Sequence, residues 1–309
     1  MEIFVGVVFL AIVLTLLNQR VQTRLKLWFY EQPLHIFLVS WMLAMFACAA
    51  AAPHSAINPD FRFVIPLIFA YTFAPAFLFY NMGSWRSHEL TGRSWIEFCV
   101  ILILWLPVEI AIGQGWLREY FGRATHIVAY GTAVTLGLFL FLLFGQMRGL
   151  KYNLPRSRRD FILPLCGLLV AALILIRLGR FIGFLGPLHV PADLSAFKIA
   201  MSFVAIIFGV ALPEEILFRS LVQNWLMQKL GPTNKTLFLS ALIFGASHLN
   251  NFSKPRDGTI TGSPPNWEYA LVATVAGFIY GKVFQKSNSV FSSAGLHAVV
   301  NTIRHTFFA

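Results

Sequence analysis

Long uncharged apolar runs separated by short polar stretches dominate the first two-thirds of the chain. Runs 3–17, 34–52, 63–82, 98–114, 127–146, 161–176 and 196–212 each approach or reach the length that crosses a bilayer, which takes about 20 mostly apolar residues as helix. No strand-like alternation and no internal repeat interrupts this series. After Leu212 the pattern changes. Pro213 is followed by the charged pair Glu214-Glu215, then by apolar segments 217–230, 236–250, 269–284 and 290–308, the first two joined by a Gly-Pro-Thr-Asn turn. The first run does not have the form of a secretory signal: Met1-Glu2 is not a basic start, and the run leads into Arg20, Arg24 and Lys26 instead of a small-residue cleavage site. An uncleaved first membrane helix is expected.

Composition sharpens this picture. Of 309 residues, 57% are apolar and 12% are charged, against about 25% charged in ordinary soluble domains. The formal net charge of +11 would suggest nucleic acid in a soluble protein, but here the cations fall between the apolar runs, where they act as topology signals. The first, third and fifth connections carry ten Lys and Arg, the second, fourth and sixth only five. The amino terminus is therefore expected outside, and the helix 196–212 would carry Glu214 toward the cytoplasmic half. Cys48, Cys99 and Cys166 lie singly in apolar segments with no Cys-x-x-Cys, so neither a disulfide framework nor a thiolate metal site is expected. The expected architecture is all-α: a polytopic membrane bundle of about 8–10 transmembrane helices, with an N-terminal membrane region, residues 1–195, preceding a catalytic core, residues 196–309.

Charged side chains at the centre of a membrane helix cost roughly 2.5–3.5 kcal/mol on insertion scales, so each asks for a partner or a purpose. Most of them stand in the last hundred residues: Glu214, Glu215 and Arg219 in Pro-Glu-Glu-Ile-Leu-Phe-Arg, His248 at the end of Phe-Gly-Ala-Ser-His, and His297 with Asn301 in His-Ala-Val-Val-Asn. If the segments on either side of the Gly-Pro-Thr-Asn turn form a helical hairpin, Glu215 and His248 lie 17.5 and 15.5 residues from its midpoint. At about 1.5 Å per residue they differ in level by only about 3 Å, so they can face each other. His297 and Asn301 are i and i+4, on one helical face, so two donors can converge on one atom. Glu215 and Arg219 share the same spacing, that of a helical ion pair. Glu214, about 100° round the helix and behind Pro213 in the first turn, is then left for water. A carboxylate and an imidazole holding one water make a general base, and a His/Asn pair makes an oxyanion site. Together they are the least equipment for hydrolysing an amide without a covalent intermediate.

These three motifs, in this order and each in an apolar helix, resemble the CPBP family of membrane proteases (CAAX proteases and bacteriocin-processing enzymes) over roughly residues 196–304. The resemblance implies a glutamate-type intramembrane endopeptidase that needs no cofactor or metal: Glu214 and His248 activate water, Glu215 and Arg219 support them, and His297 with Asn301 stabilises the oxyanion. Eukaryotic CAAX-processing members often carry further histidines after the second motif, where this chain has Asn250 and Asn251. That leans toward a bacterial-type member in the cytoplasmic (inner) membrane, acting on another membrane-anchored or lipidated protein, with membrane lipid around it and no nucleic-acid partner.

Zinc is disfavoured because neither His-Glu-x-x-His nor a carboxylate with two closely spaced histidines occurs. Glu109, just past Pro107, is expected to serve a local structural role, and Lys198 to snorkel at a helix end. Gly277-x-x-x-Gly281 is expected to pack helices within the chain. The competing class is a non-proteolytic membrane protein, a scaffold or a proton-coupled transporter, although a transporter usually shows paired repeats.

Overall fold

The computed structural model describes residues 2–55, 61–83, 94–114, 121, 124–251 and 265–308. Among them there are eleven helices and no strand, arranged in two compact units, Met1–Leu150 and Lys151–Ala309.

The first unit contains α1 (Glu2–Thr15), α2 (Gln19–Glu31), α3 (His35–Ser55), α4 (Phe61–Asn81), α5 (Trp95–Gln114) and α6 (Thr125–Gly137), which continues through a wider-wound stretch, Leu138–Phe144. The first apolar run does not continue straight. It turns by 90° into α2, where the Asn18 side chain accepts from the Arg20 amide and restarts the helix. Glu109 accepts a hydrogen bond from the Tyr130 hydroxyl, which ties α5 to α6 and gives this carboxylate the local role expected of it.

The second unit contains α7 (Arg158–Phe181), α8 (Ala196–Leu230), α9 (Asn234–Ser247), α10 (Trp267–Lys286) and α11 (Val290–Phe307). It begins ahead of residue 196 because α7 packs on α10 and α11, with Ala171 and Leu175 joining Ile279, Val283 and Leu296 in one apolar cluster. Two charged residues fasten the end of the unit where α7 begins. Asp160 accepts from the Arg156 and Ser157 amides, the Ser157 hydroxyl and the Asn288 amide. The Lys151 ammonium donates to the carbonyls of Phe284, Gln285 and Ser287, three orphan acceptors at the end of α10. Burial presses the Lys151 ammonium below the usual lysine range, and the nearby Asp160 charge opposes that shift.

Five of the described helices are long and apolar enough to cross a membrane, or six counting the bent α1–α2 pair as one span. These spans and the all-helical build make this an integral membrane protein. The polar residues of interest are carried by α8, α9, α10 and α11, whose contacts are made possible by small residues. A Cβ on Gly281 would meet Gln223 Oε1 at 2.5 Å, and one on Gly277 would meet the Phe244 ring at 2.8 Å. The Gly-x-x-x-Gly pair therefore packs helices within the chain, as expected.

Candidate active site

Helix α8 is 35 residues long, and its winding widens on both sides of the Pro-Glu-Glu sequence, at Ile207–Ala211 and Ile216–Gln223. Pro213 accounts for the first of these: it has no amide hydrogen, and its ring would clash with the carbonyl four residues back, which wider winding relieves. The second carries Arg219. Between them the short turn Leu212–Glu215 presents both glutamates to the interior.

The ion pair expected within this helix is present. Arg219 Nε donates to Glu215 Oε2 at 3.1 Å, both side chains wholly buried, and the guanidinium lies over the Phe244 ring at 4.6 Å. The other oxygen of Glu215 lies 3.2 Å from Nδ1 of His297. Because Glu215 is paired with a guanidinium, it acts as acceptor, so Nδ1 of His297 carries the proton. On the far edge of the same ring, Nε2 lies 3.1 Å from Asn301 Nδ2 and 3.9 Å from Glu214 Oε2. His297 thus stands between the two glutamates, its ring stacked on Tyr280 with centroids 4.7 Å apart. The i, i+4 placement of His297 and Asn301 on one face holds in the structure, with the two side chains bonded to each other.

His248 sits just beyond the end of α9, in a tight three-residue turn, His248–Asn250, and not inside a helix running to residue 250. The reason is local. The Phe244 carbonyl accepts from both the Ser247 hydroxyl at 2.7 Å and His248 Nδ1 at 2.9 Å, a competition that ends the regular ladder. Donation from Nδ1 leaves Nε2 of His248 as the ring's lone pair, the form that can accept a proton. Its ring meets Phe244 at 4.8 Å and Tyr269 at 4.7 Å, and Phe244 also reaches the ring of His297 at 6.0 Å. Phe244 is the shared wall between Arg219 and the two histidines.

Exposure separates the polar groups into two kinds. Glu215 and Arg219 are 0% exposed, whereas Glu214 and His248 each retain 8%.

Three further residues belong to this cluster. Tyr280 and Tyr269 lie eleven residues apart on one face of α10, and Arg304 is seven residues beyond His297 on α11, both spacings that a helical reading of the sequence could have picked out. Arg304 donates to the Tyr269 hydroxyl at 3.2 Å and lies over the rings of Phe184 and Tyr269 at 4.5 and 4.9 Å. Among the described residues, no three His, Cys, Asp or Glu side chains are placed to share a metal ion.

Residues 196–303 match the model described as type II CAAX prenyl endopeptidase Rce1-like. The C-terminal unit carries an Rce1-like domain. The match covers about a third of the chain and includes all six residues of the three motifs. No match was found among curated proteins or among solved structures. The Rce1-like domain implies a protease of the membrane.

Proposed function

We propose that this protein hydrolyses a peptide bond near the terminus of a membrane-anchored or lipidated protein, with water activated by Glu214 and His248. The observation that carries the reading is the meeting of three motifs, distant in sequence, on His297: Nδ1 on Glu215, Nε2 beside Asn301 and near Glu214, and the Phe244 ring of the second motif edge-on to the imidazole at 6.0 Å. In this reading Glu214 takes a proton from the water while Nε2 of His248 accepts its second hydrogen bond. The resulting hydroxide adds to the carbonyl carbon, and the proton then passes from Glu214 to the leaving nitrogen, which restores the carboxylate as the carbon–nitrogen bond breaks. Asn301 has an amide hydrogen beyond the one directed at His297, and supplies the oxyanion donor. His297 Nε2 adds a second only when protonated. Glu215 and Arg219 act through His297, fixing its tautomer and ring position.

The test compares the termini of membrane proteins by mass spectrometry in cells lacking the protein and restored with either the parent or Glu214→Gln at equal abundance. Termini that shift with the parent alone establish proteolysis and identify substrates. The variant is expected to lose at least a hundredfold in cleavage, the scale of a general base. Equal restoration by both versions would make the glutamate structural and the protein a scaffold.

A further inference from the structure

We propose that the outer face of α7, α9 and α10 is a binding site for an anionic phospholipid, one acyl chain lying in the groove and the phosphate resting on Lys282 and Lys286. The groove has a volume of about 670 Å³, within the range of small-molecule sites. Cys166 and Val170 on α7, Phe238 on α9 and Phe278 on α10 line it, so its walls are apolar, and Cys166, Val170 and Phe238 are exposed. It runs along α10 from Thr274 to Lys286. Twelve residues of helix cover about 18 Å, close to the roughly 15 Å depth of one leaflet in a hydrocarbon core about 30 Å thick. The groove is as long as one lipid chain's share of the membrane.

Charge decides what fills it. Lys282 and Lys286 mark one end, and hydrogen bonds bring other cations to the same level. Lys282 donates to Asn234, next to Lys235, and Gln285 donates to the Pro232 carbonyl in the turn that follows Lys229. The Asn288 amide donates to Asp160 at the start of α7, beside Arg158 and Arg159. These bonds put Lys229, Lys235, Arg158 and Arg159 at the same end of the unit as Lys282 and Lys286. Among the described carboxylates of this unit, Asp160 alone stands at that end, and it already accepts from four donors. Cations so placed attract anionic lipid. A neutral lipid would fill the groove but bring no net negative charge to Lys282 and Lys286.

The purified full chain in nonionic detergent provides the test, with added phosphatidylglycerol, phosphatidylcholine of the same acyl chains, or inorganic phosphate. Alkylation of Cys166 by N-ethylmaleimide, followed by peptide mass spectrometry, reports the groove, and the thermal midpoint reports the whole unit. Phosphatidylglycerol is expected to slow Cys166 alkylation at least threefold and to raise the midpoint by several degrees, with little effect from phosphatidylcholine. Both effects should vanish in K282Q/K286Q, whose lipid-free midpoint should match the parent's. Val170→Trp, which fills the groove and leaves the lysines in place, should abolish the midpoint shift as well. If the double variant fails to fold, Lys286→Glu, a reversal at an exposed position, should remove the preference for the anionic lipid. Equal protection by the two lipids, an identical rise with inorganic phosphate, or effects that survive these substitutions would each overturn the site.

Discussion

Glu215 and Arg219 are two charges removed entirely from water, and such a pair is costly to break and cheap to replace. Arg219→Met strands a buried carboxylate and should lower stability by about 3–5 kcal/mol. Glu215→Gln strands a guanidinium and should also destabilise. The double variant E215Q/R219M removes both charges together and should recover most of the loss, because neither desolvation cost remains. Catalysis should not recover with it. Without the carboxylate at 3.2 Å, nothing fixes the proton of His297 on Nδ1, and the ring loses the tautomer that sets Nε2 against Asn301. Thermal midpoints and cleavage rates of the three variants form a double-mutant cycle. A double variant that is stable and inactive separates the positioning role from the structural one. A double variant as active as the parent would mean that the pair only ties helices together.

The hairpin of α8 and α9 carries the glutamates on one arm and His248 at the end of the other, and the fit of α9 on α10 fixes where that arm ends. Gly245 is the closest point of that fit: an added Cβ would lie 1.9 Å from Thr274 Oγ1 and 2.6 Å from the Ala270 carbonyl oxygen. A backbone oxygen cannot swing aside, so Gly245→Ala should push α9 off α10, cost about 1–3 kcal/mol, and displace His248 three residues on, with a matching loss of cleavage. Gly209 on α8 faces open space, so Gly209→Ala should be neutral or stabilising by up to about 1 kcal/mol. Thermal midpoints of the two alanine variants check the contrast. At this scale much was legible beforehand: symmetric spacing about the Gly-Pro-Thr-Asn turn, and the i, i+4 pairs Glu215/Arg219 and His297/Asn301, follow from helical geometry alone. What was not legible came from competition among neighbouring groups. The early end of α9 depends on two side chains sharing one carbonyl, and the stacking of Tyr280 on His297 depends on how α10 and α11 cross. Neither leaves a mark in a one-dimensional pattern.

Across the molecule, the residues that carry the chemistry start at α8, but the unit that holds them starts at Lys151. Motifs mark the chemistry, whereas compactness depends on burial, and α7 carries no motif at all. Gly167 on α7 shows the dependence: an added Cβ there would come within 2.7 Å of Leu296 and 2.9 Å of Val283, so this helix is seated against both α10 and α11. The face of α11 that α7 covers lies on the helix that positions His297 and Asn301. Removing residues 151–195 would uncover the cluster of Ile279, Val283 and Leu296 and delete both end fastenings, Asp160 on the Asn288 amide and Lys151 on the carbonyls of Phe284, Gln285 and Ser287. Each orphaned acceptor costs about 1–3 kcal/mol where it is buried, a large share of the 5–15 kcal/mol that holds a typical domain together. A fragment of residues 151–309 should therefore be recovered from membranes folded, with a cooperative thermal transition, whereas 196–309 should be degraded or aggregate even though it contains every motif residue. Expression of both fragments, followed by size-exclusion chromatography in detergent, distinguishes the outcomes. If 196–309 proved as stable as 151–309, α7 would be an accessory to the fold. If 151–309 folds and also cleaves, substrate recognition lies within this unit; if it folds and does not cleave, the first unit contributes to recognition.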